Sequence, residues 1–393
     1  MNEGIVVTGI GVVCSIGTNV PECFSSLKNE RAGIEGIKYL KTVHKERFKL
    51  GEVKRSNEEL LQMLSLPIED AGKYSRTALL AMLAGHEALQ MAERSNGTKQ
   101  TGVVSSTTVG GMDLTEHKYL KQHSDQSYLL THPCGDSTRQ LANFIGATGY
   151  YTTLNTACSS GTNALIHGVR LLRHGIVERV VVGGVDALTM FTLNGFNSLM
   201  ILDTEHCKPF DQNRKGLNLA EGAGYLVLEK KQDAKEYLCK VPGFANANDA
   251  YHQTASSPEG NGAYSSMLQA LEMSGLSSTD IDYVNVHGTG TNNNDLSEGV
   301  ALNRLFGKGK VPHFSSTKSY TGHTLAAAAG VEAVFSVLAI QNDIVYPNLN
   351  FKDAIEDLDL VPNTKVIEGA GVNHVMSNSF GFGGNNSTVI FSK

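Results

Sequence analysis

Cys158 stands near the head of the stretch "LNTACSSGTNALIHGVRLLRHG" (154–175), followed at once by Ser159, Ser160 and Gly161. Behind it Ala164, Leu165, Val169, Leu171 and Leu172 recur at helical spacing, so the thiol lies at or just before a helix start. The first backbone N–H groups of a helix have no intrahelical partner and carry the positive end of its dipole. That setting lowers a thiol pKa and favours the thiolate, and the small neighbours let a substrate come close. A buried cysteine acting as a small hydrophobe fits the same segment, and the segment alone leaves both readings open.

Three later segments add groups that could act with it. In "VNVHGTGTNNNDLSE", His287 ends an apolar strand, where α/β folds hold ligands; a structural histidine is the commoner occupant of such a place. Thr289 and Thr291 beside it either cap a helix or bind a ligand. In "SSTKSYTGHTLAAAAG", Lys318 and His323 flank a polar turn between a buried-type strand and a buried-type helix. The plain account is a helix cap and a solvated lysine. A lysine in that position is costly unless paired, and Glu298 and Asp295 are candidate partners. In "NSFGFGGNN", three glycines beside Phe380 and Phe382 suggest a turn presenting backbone N–H groups, as an oxyanion hole needs, or else an ordinary hairpin turn. Together the set suits a covalent thioester mechanism: Cys158 attacks and holds an acyl group, and two histidine N–H groups stabilise negative charge on a second substrate. The sequence shows no clear metal cluster.

These groups must be positioned by alternating strands and helices. Buried-strand patterns start at Ile5 ("IVVTGIGVV"), Thr101, Arg179 ("RVVVGGVDAL") and Gly222 ("GAGYLVLEK"), with a largely apolar helix from Arg76 between the first two. A second series follows: a helix from Ser265 to Gly275, a strand from Asp282, a helix with Asp295 at its start, a strand from Val311 and a long apolar helix from Ala326. The chain closes with two strands around the glycine turn. This is an α/β pattern with buried sheets. No repeat is legible at the level of residues, and the stretch from Tyr237 to Asn248 reads as the junction between the two series.

Composition narrows the function classes. A chain of 393 residues has room for a large core, and 41% hydrophobic with 18% charged residues gives no case for disorder. The formal net charge of −6 argues against a general nucleic-acid binder. The six cysteines, Cys14, Cys23, Cys134, Cys158, Cys207 and Cys239, show no CxxC pair and no metal-ligand spacing, so a reducing cytoplasm is the default expectation. The start reads as a strand rather than a signal peptide, and no run reads as a membrane span.

"NTACSSG", "VNVHGTGT", "SSTKSYTGHT" and "NSFGFGGNN", in that order, resemble the β-ketoacyl-[acyl-carrier-protein] synthases of the elongating type, and "KPFDQNRKGLNLAEGAG" from Lys208 is also similar to a family motif. The resemblance runs from about Gly4 to Phe391. It implies the thiolase fold: two similar α/β halves in a five-layer α-β-α-β-α arrangement, with residues 1–238 carrying the nucleophile and 239–393 both histidines. It implies decarboxylative Claisen condensation of an acyl thioester with malonyl-acyl carrier protein, without cofactor or metal, the substrates bringing the phosphopantetheine arm. Cys158 is then the acylated nucleophile. His287 and His323 bind the malonyl thioester carbonyl and stabilise the enolate left by CO₂. Lys318 orients His323, Glu298 is its partner, and Asp295 matches the other acidic position. Thr289 and Thr291 match pantetheine contacts. Phe382 matches a gating aromatic whose N–H, with that of Cys158, forms the oxyanion hole, and Phe196 resembles an acyl-pocket aromatic. Lys73 and Arg76 either meet an acidic carrier protein or belong to a solvated face. A homodimer is implied, or a heterodimer with a silent homologous subunit.

The sequence departs from the family pattern at "TNNND", where proline is usual after the second threonine, at Lys215 and Asn218, and at Asn385, where threonine is usual. Specialised synthases for polyenes, pigments or polyketides share the scaffold. A non-enzymatic partner subunit usually lacks the nucleophile. A degradative thiolase has a second, C-terminal cysteine, and none follows Cys239. A cysteine hydrolase would use water as acceptor. Chain-starting synthases commonly carry asparagine where His323 stands, so the two histidines point to elongation.

Overall fold

The strand patterns of both series join in one ten-stranded sheet in a computed structural model of the chain, which describes residues 4–119, 126–356 and 358–393. The strands are β1 (Ile5–Cys14), β2 (Thr101–Ser106), β3 (Tyr151–Leu154), β4 (Arg179–Asp186), β5 (Gly222–Lys230), β6 (Cys239–Asn248), β7 (Tyr283–Asn285), β8 (His313–Ser315), β9 (His374–Gly381) and β10 (Asn385–Ser392). Their spatial order is β8-β7-β9-β10-β6-β1-β5-β4-β2-β3. Taken as two sets of five, both follow one plan. The second strand of each set lies between the third and fourth in parallel pairs, and the fifth joins the fourth to the first in antiparallel pairs. The sets pair where β1 meets β6, at Val6 opposite Lys240 and Val7 opposite Cys239. The stretch read as a junction is therefore largely the first strand of the second set. It is poor in strand formers and carries Pro242, which falls at an irregularity in the register with β10, a place that tolerates a missing donor.

The helices that matter are α1 (Arg76–Asn96), α2 (Ser160–Arg173), α3 (Met190–Ser198), α4 (Asn261–Ser274), α5 (Asn292–Phe306) and α6 (Ala328–Asn342). Helix α1 covers one outer face, against β1 and β5; α4 covers the other, against β6 and β10, with α5 beside it. Between the two sets of strands run α2 and α6, with α6 against β5 on one side and β9 on the other. This is the five-layer α-β-α-β-α arrangement of the thiolase fold. Leu325–Asn342 has the length and mean hydropathy (1.5) of a membrane span, yet 89% of it is buried in the protein. Its apolar character is that of a central core helix, whose sides all face protein.

The middle layer brings the chemistry together. Gly161 in the first turn of α2 meets Gly330 in α6 so closely that a Cβ on Gly161 would lie 2.7 Å from the Gly330 nitrogen. The start of α2, which follows Cys158, is thereby pressed against the start of α6, which follows His323.

Candidate active site

Cys158 sits at the tip of a tight turn between β3 and α2. Ala157 before it holds φ at 53°, a left-handed conformation that an alanine keeps only where its surroundings over-determine it. Here the Ser160 and Ser159 hydroxyls bond to the carbonyls of Ala157 and Thr156. On the other side lies the glycine turn. Gly381 is glycine because an added Cβ would stand 2.9 Å from the Cys158 nitrogen. The turn is a hairpin turn, joining β9 to β10, and it also aims the Phe382 N–H at the Cys158 sulfur.

Burial pushes the Cys158 thiol up to about 12, against the pull of the Lys318 ammonium and the Phe382 N–H. The lowered thiol pKa expected from the helix start is thus reversed, because removing the thiolate from water outweighs the fixed positive charges around it. The nucleophile rests as a thiol. Since only the thiolate alkylates, the rate at which iodoacetamide modifies Cys158 should climb about tenfold per pH unit from pH 7 to 9 without levelling off. A plateau near pH 8 would mean a lowered pKa, and a rise of only about threefold from pH 8 to 9 an ordinary one.

Three protein segments converge on that sulfur. Ring or sulfur atoms of Cys158, His287 and His323 lie within 4.8 Å of one another, and the two imidazoles meet edge to face with centroids 5.4 Å apart. Burial, with the Lys318 charge, holds both imidazoles well below the usual histidine range, so both are neutral at pH 7. Their outer nitrogens are occupied. His323 Nδ1 accepts from the Leu325 N–H at 3.0 Å, and His287 Nδ1 lies 3.2 Å from Lys318 Nζ, an obligate donor. Both rings therefore carry their proton on Nε2. A metal-binding imidazole does the opposite, donating its outer N–H and presenting a bare nitrogen. The spacing suits a metal, but the tautomers suit an anion between the rings.

Lys318 is fully buried and forms an ion pair with Glu332 of α6, while also donating to the His287 carbonyl at 2.6 Å. The partner inferred from sequence, Glu298, is elsewhere. Its carboxylate accepts from the His287 and Gly288 N–H groups at 2.9 and 2.8 Å and from the Asn378 amide. Glu298 thus fixes the backbone that carries His287 and does not touch the cavity. Asp295, the other candidate partner of Lys318, is also elsewhere and lines neither of the cavities that meet at Cys158. It is fully buried in the first turn of α5, which begins three residues earlier than its sequence pattern suggests, and accepts from the Phe210 and Gly290 N–H groups. Glu332 is missed by sequence reasoning, although one acidic residue in an otherwise apolar buried helix is a signal for an ion pair.

Two cavities meet at Cys158. One, of about 280 Å³, runs from His287, His323 and Cys158 past Thr289 and Thr291 to a polar mouth at Lys215, Ser256 and Asn292–Asn294. Thr291 occupies the N-cap position of α5 without a side-chain cap bond; its hydroxyl pairs instead with Thr289 at 2.8 Å. The other cavity, of about 420 Å³, is apolar, lined by Val109, Met112, Phe191, Leu199 and Leu325 among others. Phe382 and Phe196 line both and stack with centroids 6.0 Å apart, forming the partition. Of the residues suggested for carrier contact, Arg76 is buried in a two-bond ion pair with Glu221, and Lys73 is exposed beside Asp70.

Of the departures from the family pattern, Lys215 lines the mouth, and the others become ties between loops around this site. Asn385 donates to the Phe382 carbonyl at 3.0 Å. Asn293 and Ser256 exchange two bonds across the mouth. Asn218 accepts from the Cys207 N–H and donates to the Glu205 carbonyl, both at 2.7 Å, while its own carbonyl holds the His323 N–H. Asn218→Val keeps the backbone bond to His323 but leaves the Cys207 N–H and the Glu205 carbonyl without their side-chain partner, and should cost about 1–3 kcal/mol, read as a lowered urea midpoint.

Residues 2–234 match the model of the family "Beta-ketoacyl synthase, N-terminal domain" and residues 238–352 that of "Beta-ketoacyl synthase, C-terminal domain". The chain is 32% identical to the 3-oxoacyl-[acyl-carrier-protein] synthase 2 of Staphylococcus aureus (strain COL), over 100% of this chain and 99% of that protein. Among solved structures it is similar to the ishigamide ketosynthase/chain length factor, with a TM-score of 0.91, 29% identity and all of both chains covered. It is also similar to the ketosynthase ApeO, solved in complex with its chain length factor ApeC from Xenorhabdus doucetiae, with a TM-score of 0.87, 30% identity and 99% and 98% of the two chains covered.

Proposed function

Because the chain belongs to the β-ketoacyl synthase family, we propose that the reaction of that family, decarboxylative Claisen condensation of an acyl thioester with malonyl-acyl carrier protein, is run here by Cys158, His287, His323 and Lys318. The chain is an acyltransferase of fatty-acid or polyketide-type elongation. Cys158 Sγ attacks the acyl thioester carbonyl and loses its proton, and the carrier thiol departs. The N–H groups of Phe382 and Cys158 take the oxyanion, and the acyl chain occupies the apolar cavity. The malonyl arm enters past Thr289 and Thr291, and its thioester oxygen comes to rest between the two Nε2–H groups. Loss of CO₂ puts negative charge on that oxygen. Donors fixed where charge develops stabilise the transition state more than the ground state. The enolate carbon then attacks acyl-Cys158, the β-ketoacyl thioester leaves on the carrier, and the sulfur takes up a proton.

One observation carries this reading: a thiol and two N–H-bearing imidazoles within 4.8 Å at the floor where two cavities meet. Incubation with acyl-carrier protein should add one acyl mass to the intact chain, mapped by peptide mass spectrometry to Cys158, and addition of malonyl-carrier protein should discharge it with release of CO₂. A hydrolase would discharge it without malonyl.

The partner is an acyl carrier protein, and the chain pairs with a second copy or with a homologous silent subunit, as the similar ketosynthase ApeO pairs with its chain length factor ApeC. No cofactor is required, because the arm arrives with the substrate. A reducing cytoplasm is the proposed location, supported by six free cysteines.

A further inference from the structure

Asp186 ends β4 fully buried, and nothing in the reaction above uses it. Its two oxygens face different parts of the site. Oδ1 accepts from the Thr107 hydroxyl at 2.5 Å, the Thr108 N–H at 2.9 Å and the Val109 N–H at 3.0 Å. Oδ2 accepts from the Thr108 hydroxyl at 2.7 Å and the Ala326 N–H at 2.8 Å. Thr108 and Val109 are wall residues of the apolar cavity. Ala326 follows Leu325, which holds φ at 56° and whose N–H fixes His323 Nδ1. A leucine stays in that conformation only if it is held from both sides, and Asp186 holds one of them. Burial pushes its carboxyl up to about 6, against the pull of these donors, so at neutral pH it rests as a carboxylate able to accept all five bonds.

We infer that Asp186 is a positioning residue that ties the wall of the acyl cavity to the orientation and tautomer of His323. The inference rests on the condensation reading for its functional consequence, but its structural content does not. One carboxylate spans both half-sites, so the turn that sets the His323 proton is built on the same anchor as the segment that receives the acyl chain. Its two oxygens are separable. An amide at this position keeps one acceptor, which the three donors around Oδ1 claim, and turns an NH₂ toward the Ala326 N–H. The cavity wall is then retained and the His323 turn is released.

The test compares Asp186→Asn with the wild-type chain in three readouts: acyl transfer to Cys158 by quenched intact mass, condensation with malonyl-carrier protein, and ¹⁵N shifts of the histidine imidazoles. The expected result is a loss of condensation at least tenfold greater than the loss of acyl transfer, with the His323 nitrogens moving from a single Nε2–H tautomer toward a mixture. Equal losses in both steps with unchanged imidazole shifts would overturn the inference. If Asp186→Asn does not fold, Thr108→Val decides, since it removes one of the two donors on Oδ2. Because Thr108 also lines the acyl cavity, the imidazole shifts decide for this variant: movement of the His323 nitrogens toward a tautomer mixture supports the link whatever the acyl-transfer rate, and unchanged shifts defeat it. Failure of the wild-type chain to take an acyl group on Cys158 would instead be failure of the condensation reading, and the imidazole shifts still decide the link.

Discussion

Replacing His323 with alanine lowers condensation by about two to three orders of magnitude while acyl transfer to Cys158 stays within a few fold of wild type. The split follows from where the N–H groups point. The oxyanion of the acylation step is met by the backbone N–H groups of Phe382 and Cys158, which the substitution leaves alone. The enolate of the decarboxylation step is met by the imidazoles. Each imidazole is held in one tautomer by a neighbour that donates to its outer nitrogen, Leu325 N–H for His323 and Lys318 Nζ for His287. The inner N–H groups are therefore aimed before the substrate arrives, and no reorganisation is needed as charge develops. His287→Ala should give the same split. Both rings are neutral, with pKa values held well below the usual range by burial, so a fall in malonyl decarboxylation below pH 7 reports the buried carboxyls of Asp186 and Glu332, which burial raises to about 6 and about 7, rather than a ring. Stopped assays of ¹⁴CO₂ release and of acyl-enzyme mass read the two steps separately.

How much of this was legible in the sequence can be argued residue by residue. Cys158, His287, Lys318, His323 and Phe382 each sit where a strand or helix pattern breaks into a glycine- or serine-rich turn, and such breaks survive in the order of residues. Whether the thiol is raised or lowered did not survive there. The helix start is local, but the depth of burial is set by α6 and the hairpin turn arriving from elsewhere in the chain. The Lys318 partner failed for a related reason. Glu298 and Glu332 are both buried carboxylates near the histidines, and spacing along the chain does not say which one faces the ammonium. Strand β6 was hidden by its own composition, because its pairing is supplied by β1 and β10 on either side, a tertiary effect that overrides weak strand propensity. The common plan of the two five-strand sets is likewise visible only in their pairings.

Glu332→Ala destabilises the fold by about 3–5 kcal/mol and abolishes condensation, while joining Lys318→Met to Glu332→Leu restores most of the stability and none of the activity. The first half follows from burial. Lys318 and Glu332 are both at most a few per cent exposed, and removing the carboxylate leaves an ammonium in low dielectric with only the His287 carbonyl and ring nitrogen to meet it. The second half separates stability from function. A buried ion pair attracts strongly but gives up two hydration shells, so an apolar pair of similar volume is often as stable or more so. If the pair existed to hold α6 against the turn that starts at Lys318, the double substitution would recover activity along with the urea midpoint. The geometry assigns it another task. The ammonium donates to His287 Nδ1 and to the carbonyl of the same residue, and a methionine donates to neither. With nothing bonded to Nδ1, the His287 proton can move to the outer nitrogen, and the ring then faces the malonyl oxygen with a lone pair instead of a donor. The double variant should therefore melt near the wild type, take an acyl group on Cys158, and fail to release CO₂. Recovery of decarboxylation by this variant would mean that Lys318 serves the fold and that the His287 tautomer is fixed by something else.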